Sequence, residues 1–312
     1  MTAQTKALVF GARGMLGSEL LRSAPSGVVA VGLARERCDV ADREAVRALV
    51  RAEKPALLLN ATAYTAVDRA EEEPLAAYRA NGLGPLNLAL AAREHGARLL
   101  HVGTDFVFDG SRQPRRPYEE FDAPNPQSTY GRSKHWGEQA VLEVGGSAQV
   151  VRTQWLYGPR GRHFIGAILK AAEEKPFLTV VDDQLGCPTY TVDLARALWR
   201  IALEGEAGLW HCANSGEASW NTFAARALAL TGSAIEARPI STAELARPAA
   251  RPAYSALACR RLELSLDLRL RPWAEALAEY LADPAEVERL RRGAPPTEVQ
   301  TEQTRAREAR PH

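Results

Sequence analysis

Short apolar runs alternate with amphipathic stretches through the first half of the chain. KALVF (6–10), VVAVGLA (28–34), ALLLN (56–60), ARLLHVG (97–103) and AQVVRT (148–153) are near-continuous apolar segments, the pattern of strands buried on both faces. Between them, MLGSELLRS (15–23), REAVRALVRAE (43–53) and PLNLALAAREHG (85–96) carry the helical period. Buried strands alternating with helices predict a parallel sheet covered on both faces. Right-handed crossovers then make it an α/β fold with a Rossmann-like, doubly wound parallel sheet.

After about residue 155 the rhythm loosens. LTVVDD (178–183) reads as a strand, TVDLARALWRIALE (191–204) as an amphipathic helix, and GLWHCA (208–213) as a strand returning to the main sheet. NTFAARALALTG (221–232) ends at a glycine suited to a helix C-cap, and PWAEALAEYLAD (272–283) opens with proline in its first turn. This divides the chain into a first unit over 1–153 and a smaller α/β unit, mainly 154–283. The charged, apolar-poor stretch 284–312 is expected to be a disordered tail.

Composition changes this picture little. Hydrophobic residues make up 46% and charged residues 25%, and the net charge of +1 implies no polyanionic partner. The cysteines at 38, 187, 212 and 259 form no C-x-x-C pair and no Cys/His cluster that suggests zinc. With no signal peptide read at the start and no apolar run of membrane length, a cytoplasmic, non-membrane protein with reduced thiols is expected.

Candidate chemistry starts where the first strand runs into GARGMLG. Gly11, Gly14 and Gly17 suit a tight turn, close approach of backbone to a pyrophosphate, and close helix–sheet packing. The helix that follows would offer its N-terminal amides to phosphate, with Arg13, Met15 and Leu16 lining the loop. At the end of the second strand, LARERCDV (33–40) sets Arg35 and Arg37 where a 2′-phosphate would lie, which favours NADPH. Glu36 between them leaves NADH open, and Asp39 and Val40 would flank the adenine. The spacing of Tyr130 and Lys134 in TYGRSK puts both on one helix face. An ammonium near the phenol would favour the phenolate; moving its pKa from ~10 to ~7 corresponds to roughly 4 kcal/mol, of which a bound nicotinamide's charge would supply part. Thr104, at the carboxyl end of ARLLHVG, could donate to a substrate carbonyl.

Five stretches carry a more selective signal: NATAYTAVDRAEEEP (60–74), GTDFVFDG (103–110), STYGRSKHWGE (128–138), VVRTQWLYG (150–158) and VDDQLGCPTYTVDLA (181–195). From about residue 6 to 282 the chain resembles the dTDP-4-dehydrorhamnose reductases of the extended short-chain dehydrogenase/reductase superfamily. The resemblance implies an NAD(P)-binding domain over 1–153, a mainly substrate-binding domain over 154–283, and hydride transfer from NADPH to carbon 4 of dTDP-4-dehydro-L-rhamnose. Tyr130 would be the proton donor, Lys134 would hold the nicotinamide ribose, and Thr104 would orient the carbonyl.

It also implies that Ala61, Thr62, Ala63 and Tyr64 run beside the cofactor, with Tyr64 standing where relatives often carry histidine. Asn81 would brace the site. Asp68, Asp105, Phe106, Trp155, Gln184, Gly186 and Thr189 would contact the sugar nucleotide, and Arg251 its diphosphate. Some members bind Mg2+ at a dimer interface. Glu19 matches one such position, Asp193 would replace a glutamate, and no third ligand is placed, so metal is not expected to be required. A homodimer is compatible with the resemblance, while nucleic acid and membrane are not implied. Phe106 stands where nucleotide-sugar dehydratases carry a glutamate, which disfavours dehydration. A 4-ketoreductase for another dTDP-sugar and a non-catalytic regulatory subunit, like that of methionine adenosyltransferase, stay as alternatives.

Overall fold

The computed structural model describes residues 4–294. The chain starts as the apolar pattern predicts. Strand β1 (Thr5–Phe10) leads into α1 (Met15–Arg22), then β2 (Val28–Leu33), α2 (Arg43–Glu53) and β3 (Leu57–Asn60). A short helix α3 (Pro74–Tyr78) passes through a π turn at Arg79–Leu83 into α4 (Gly84–His95), and β4 (Arg98–Val102) follows. Helix α5 (Thr129–Val144) and β5 (Ala148–Arg152) complete the first unit.

The second half brings β6 (Leu156–Tyr157), α6 (Phe164–Glu174), β7 (Phe177–Val181), β8 (Leu185–Gly186), β9 (Thr189–Tyr190) and α7 (Thr191–Glu204). Then come β10 (Gly208–His211), β11 (Ala218–Ser219), α8 (Trp220–Leu230), β12 (Glu236–Ile240), α9 (Thr242–Leu245), α10 (Arg260–Leu266), α11 (Trp273–Tyr280) and α12 (Pro284–Arg291).

Six strands form one parallel sheet in the order β10-β5-β4-β3-β1-β2. The order reverses beside β1, the crevice where doubly wound sheets bind their ligands. One face is packed by α1, α7 and α10 through Leu16, Leu20, Leu194, Leu198 and Leu262. The other is packed by α2, α4 and α5 through Val46, Val50, Leu88 and Val141. Leu8, Leu58 and Val150 are fully buried, and each such side chain stabilises the sheet by about 1.5–3 kcal/mol. The stretch that returns to the main sheet therefore begins at α7, earlier than the strand at 208–213, because the apolar face of α7 covers the sheet beside α1.

A second core joins α6, α8, α11 and α12 around Tyr157, Leu178, Phe223 and Leu277. The tail expected from residue 284 instead opens with α12. Asp283 caps it, Pro284 occupies its first turn, and Val287 and Leu290 are buried in that core. The rest of the expected tail, 295–312, lies outside the described residues. Among the described residues, no helix is long and apolar enough to cross a membrane.

Candidate active site

At the glycine loop the backbone leaves no room for side chains. Gly11 has φ +82°, and a Cβ there would lie 2.8 Å from the Ala61 carbonyl oxygen. A Cβ on Gly17 would overlap the Gly11 carbonyl, so α1 can pack this closely only with glycine there. Gly14 precedes α1 and supplies no side-chain cap, which leaves the first amides of the helix to an anionic ligand. Leu16 is buried and Met15 half-buried, while Arg13 is exposed and paired with Glu36 at 2.8 Å. Arg35 bonds Asp39 at 3.1 Å, and Arg37 bonds Glu53 at 3.1 Å. These exposed pairs are each worth about 0–1 kcal/mol, so a phosphate could take either arginine at little cost. Val40 is buried, and its carbonyl accepts from Asn87.

The 61–64 segment is held from below. Asn60 Oδ1 accepts from the Thr62 amide and hydroxyl, while the Tyr64 amide donates to Asn81 Oδ1 at 2.8 Å. Asn81, fully buried in the π turn, donates to the Tyr64 carbonyl and to Ser133 on α5. It thus ties the 61–64 loop, Ala63 included, to the helix that carries Tyr130. The Tyr64 hydroxyl itself turns away to Glu73.

Ser128 caps α5 by accepting from the Gly131 amide at 3.1 Å, which sets Tyr130 in the first turn and Lys134 one turn later. Both are at least nine-tenths buried. Thr104 follows β4 and caps the 3-10 turn Asp105–Val107, with its hydroxyl beside that of Tyr130. Phe106 meets the Tyr130 ring edge-on with centroids 5.3 Å apart. Lys134 Nζ donates to the Val102 carbonyl at 2.6 Å and lies 3.5 Å from His101 Nε2. Asn60, its oxygen already used by Thr62, turns its amide nitrogen to His101 Nδ1 at 3.0 Å. Burial lowers Lys134 to about 8 and holds His101 well below its ordinary range, with the lysine charge adding to the latter.

The lowering of the Tyr130 pKa expected from Lys134 and a bound nicotinamide is not found in the chain alone. Burial, joined by the Asp105 charge, outweighs the pull of the nearby Thr104 hydroxyl and raises Tyr130 to about 12. Tyr130 is therefore protonated at neutral pH, the state a proton donor requires.

On the substrate side a cleft of about 320 Å³ is lined by Phe106, Trp155, Gln184, Trp220, Arg247 and Arg251, among others. Trp155 holds φ +48°, a conformation that costs a non-glycine residue about 1–3 kcal/mol. Its indole stacks on Trp220 at 3.6 Å, and Gly186 packs against it. Trp220 also donates to Gln184, which donates onward to Thr242. Arg251 forms a bidentate pair with Asp68, both contacts 2.9 Å, joining the loop after β3 to the loop before α10. That pair holds the Asp68 carboxyl below its ordinary value.

Thr189 is fully buried, its hydroxyl donates to the Cys187 carbonyl, and it is not among the residues that line this cleft. Magnesium finds no support. Glu19 is paired with Arg22 and Arg160, Asp193 is held by Arg271 and Asn214, and no group of three metal-type ligands is assembled among the described residues. Sequence reading missed Trp220, Arg247 and Ser255. Trp220 sits one residue before the helix read from 221, and the other two lie in loops with no periodic signal.

The family described as the RmlD substrate binding domain matches residues 5–285. The chain is 43% identical over 280 residues to the dTDP-4-dehydrorhamnose reductase of Streptomyces griseus, covering 87% of this chain and 91% of that protein. A solved dTDP-4-dehydrorhamnose reductase from Clostridium acetobutylicum superposes with a TM-score of 0.86 at 39% identity, over 89% of this chain and 99% of the other. A structure of the Bacillus anthracis enzyme of the same name, in complex with NADP, also gives 0.86, at 33% identity and the same coverage.

Proposed function

This chain belongs to the RmlD substrate binding domain family, and we propose that it reduces the C4 ketone of dTDP-4-dehydro-L-rhamnose to dTDP-L-rhamnose with NADPH. The observation that carries the reading is the convergence of buried Tyr130, Thr104 and Lys134 beside a glycine loop at the sheet's crossover point. The loop fits a dinucleotide: side chains at Gly11 and Gly17 would collide with backbone, and the uncapped amides of α1 suit a pyrophosphate. Arg35 would take the 2′-phosphate and leave Asp39. When bound, the reduced nicotinamide supplies the hydride.

The protein's own groups do the remaining work. Tyr130 holds its proton in a buried pocket and gives it to the oxygen as negative charge develops there. Thr104 orients that oxygen. Lys134, fixed by Val102, would hold the cofactor ribose through its remaining donors. Trp155 and Trp220 form a flat apolar wall for the sugar nucleotide, and Arg251 would trade Asp68 for the diphosphate. The test is NADPH oxidation that depends on dTDP-4-dehydro-L-rhamnose. Absence of that dependence in folded, cofactor-binding protein ends the proposal.

A further inference from the structure

Asp105 follows Thr104 directly and is 2% exposed. One carboxylate oxygen accepts from the Thr104 hydroxyl at 3.2 Å, and the other from the Ser255 hydroxyl at 2.6 Å. No lysine, arginine or histidine among the described residues forms a salt bridge with it. Arg152, at the end of the neighbouring strand, is committed to Glu138, and Arg251, four residues before Ser255, to Asp68.

A threonine hydroxyl has one proton and two acceptor sites. Thr104 already accepts, at 3.3 Å, from the Phe106 amide. An ionised Asp105 can only accept, so it holds the protons of both Thr104 and Ser255 and leaves Thr104 nothing to offer a ketone. In the carboxylic acid form the direction reverses. The Asp105 O–H donates to Thr104 Oγ1, and the Thr104 proton is free to turn to the oxygen that Tyr130 protonates.

We propose that Asp105 is a positioning residue that sets the direction of the Thr104 hydroxyl, and that turnover requires its carboxylic acid form. The proposal rests on the ketoreductase reading given above. The surroundings agree with it. Burial raises Asp105 to about 7, against the opposing pull of the Ser255 and Thr104 hydrogen bonds. Of the groups that face it, only Lys134 changes charge in this range. Tyr130 on α5 and Cys187 beyond β8 are each raised to about 12, chiefly by burial, and Gln154 is an amide. Tyr254 beside Ser255 is raised further, its hydroxyl donating to Glu217. Lys134 on the same helix face is the one other group close to neutrality, at about 8.

The experiment is the pH dependence of turnover in the full chain and in Asp105→Asn and Ser255→Ala. An asparagine amide donates to Thr104 as the acid does. The unsubstituted chain is expected to lose about ten- to twentyfold in kcat between pH 6 and 8, about tenfold from one ionisation centred at 7 and up to about twofold from Lys134. Asp105→Asn should lose no more than about twofold, from Lys134 alone. Ser255→Ala removes a hydrogen bond to the carboxylate form, so its alkaline limb should move to higher pH. A folded Asp105→Asn variant that is inactive at every pH, or that keeps the tenfold fall, overturns the proposal. If that variant does not fold, an unmoved limb in Ser255→Ala overturns it. Carboxyl 13C NMR gives a readout free of activity: one aspartate should titrate near neutral pH and vanish in Asp105→Asn, and an Asp105 already ionised at pH 5 contradicts the assignment. Failure of the unsubstituted chain to turn over strikes the ketoreductase reading instead, and the NMR titration still decides Asp105.

Discussion

Tyr130 illustrates how one side chain's chemistry depends on burial more than on its motif partner. Lys134, four residues on, points its ammonium at the Val102 carbonyl, and desolvation keeps the phenol protonated. Replacing Tyr130 by Phe keeps the ring that meets Phe106 and removes only the proton. Turnover should fall by at least ~100-fold, the lower range for general acid catalysis, while NADPH binding measured by fluorescence is retained. Near-normal turnover in that variant would remove Tyr130 from its role. Tyr130, Lys134 and Thr104 were legible because spacing and strand ends place them. The partners of Asp105 were not: Ser255 lies 150 positions away in a loop, and no local pattern encodes that contact. The left-handed backbone of Trp155 was equally hidden, since nothing in its residue type requests it.

At the level of elements, α5 owes its start to Ser128, whose buried side chain satisfies an amide that would otherwise be orphaned. Ser128→Ala should cost roughly 1 kcal/mol of unfolding free energy, measured in urea, and because Tyr130 sits in that first turn, kcat should fall as well. A loss of stability without any change in kcat would separate the cap from the site. The long strands of the main sheet were readable because burial on both faces leaves continuous apolar runs. The two-residue strands β6, β8, β9 and β11 are too short to carry any period. Helix α12 was missed for a different reason: its charged residues dominate the composition, and only Val287 and Leu290 face the core. The π turn at 79–83 carries no pattern either, yet it positions Asn81 against both the 61–64 loop and α5.

At the scale of the molecule, buried ionisable groups outside the site set its acid limit. Glu138 is held at about 2: burial opposes ionisation, but the Arg152 hydrogen bonds and the His135 ring 3.5 Å away prevail. Its stabilisation is present above its ordinary 4.5 and lost as pH falls toward 2. His211 is lowered to about 3 by burial and the Arg152 charge, so the unfolded chain takes up its proton first and stability falls from pH 6.5 downward. Asp105 acts in the opposite sense, being raised, and favours the folded chain below pH 7. Two groups against one predict lower unfolding free energy at pH 3 than at pH 6. Glu138→Gln should lower stability at pH 7 by about 3–5 kcal/mol, since Arg152 is left unpaired, and should flatten the acid slope. An unchanged slope would place the acid sensitivity elsewhere.

The central claim concerns where the hydride lands and on which sugar. The product formed from dTDP-4-dehydro-L-rhamnose and NADPH deuterated at its transferable position, read by proton NMR, tests it directly. The account expects dTDP-L-rhamnose with deuterium at carbon 4. Deuterium at another carbon, the C4 epimer, or no product from an enzyme that binds NADPH would contradict it.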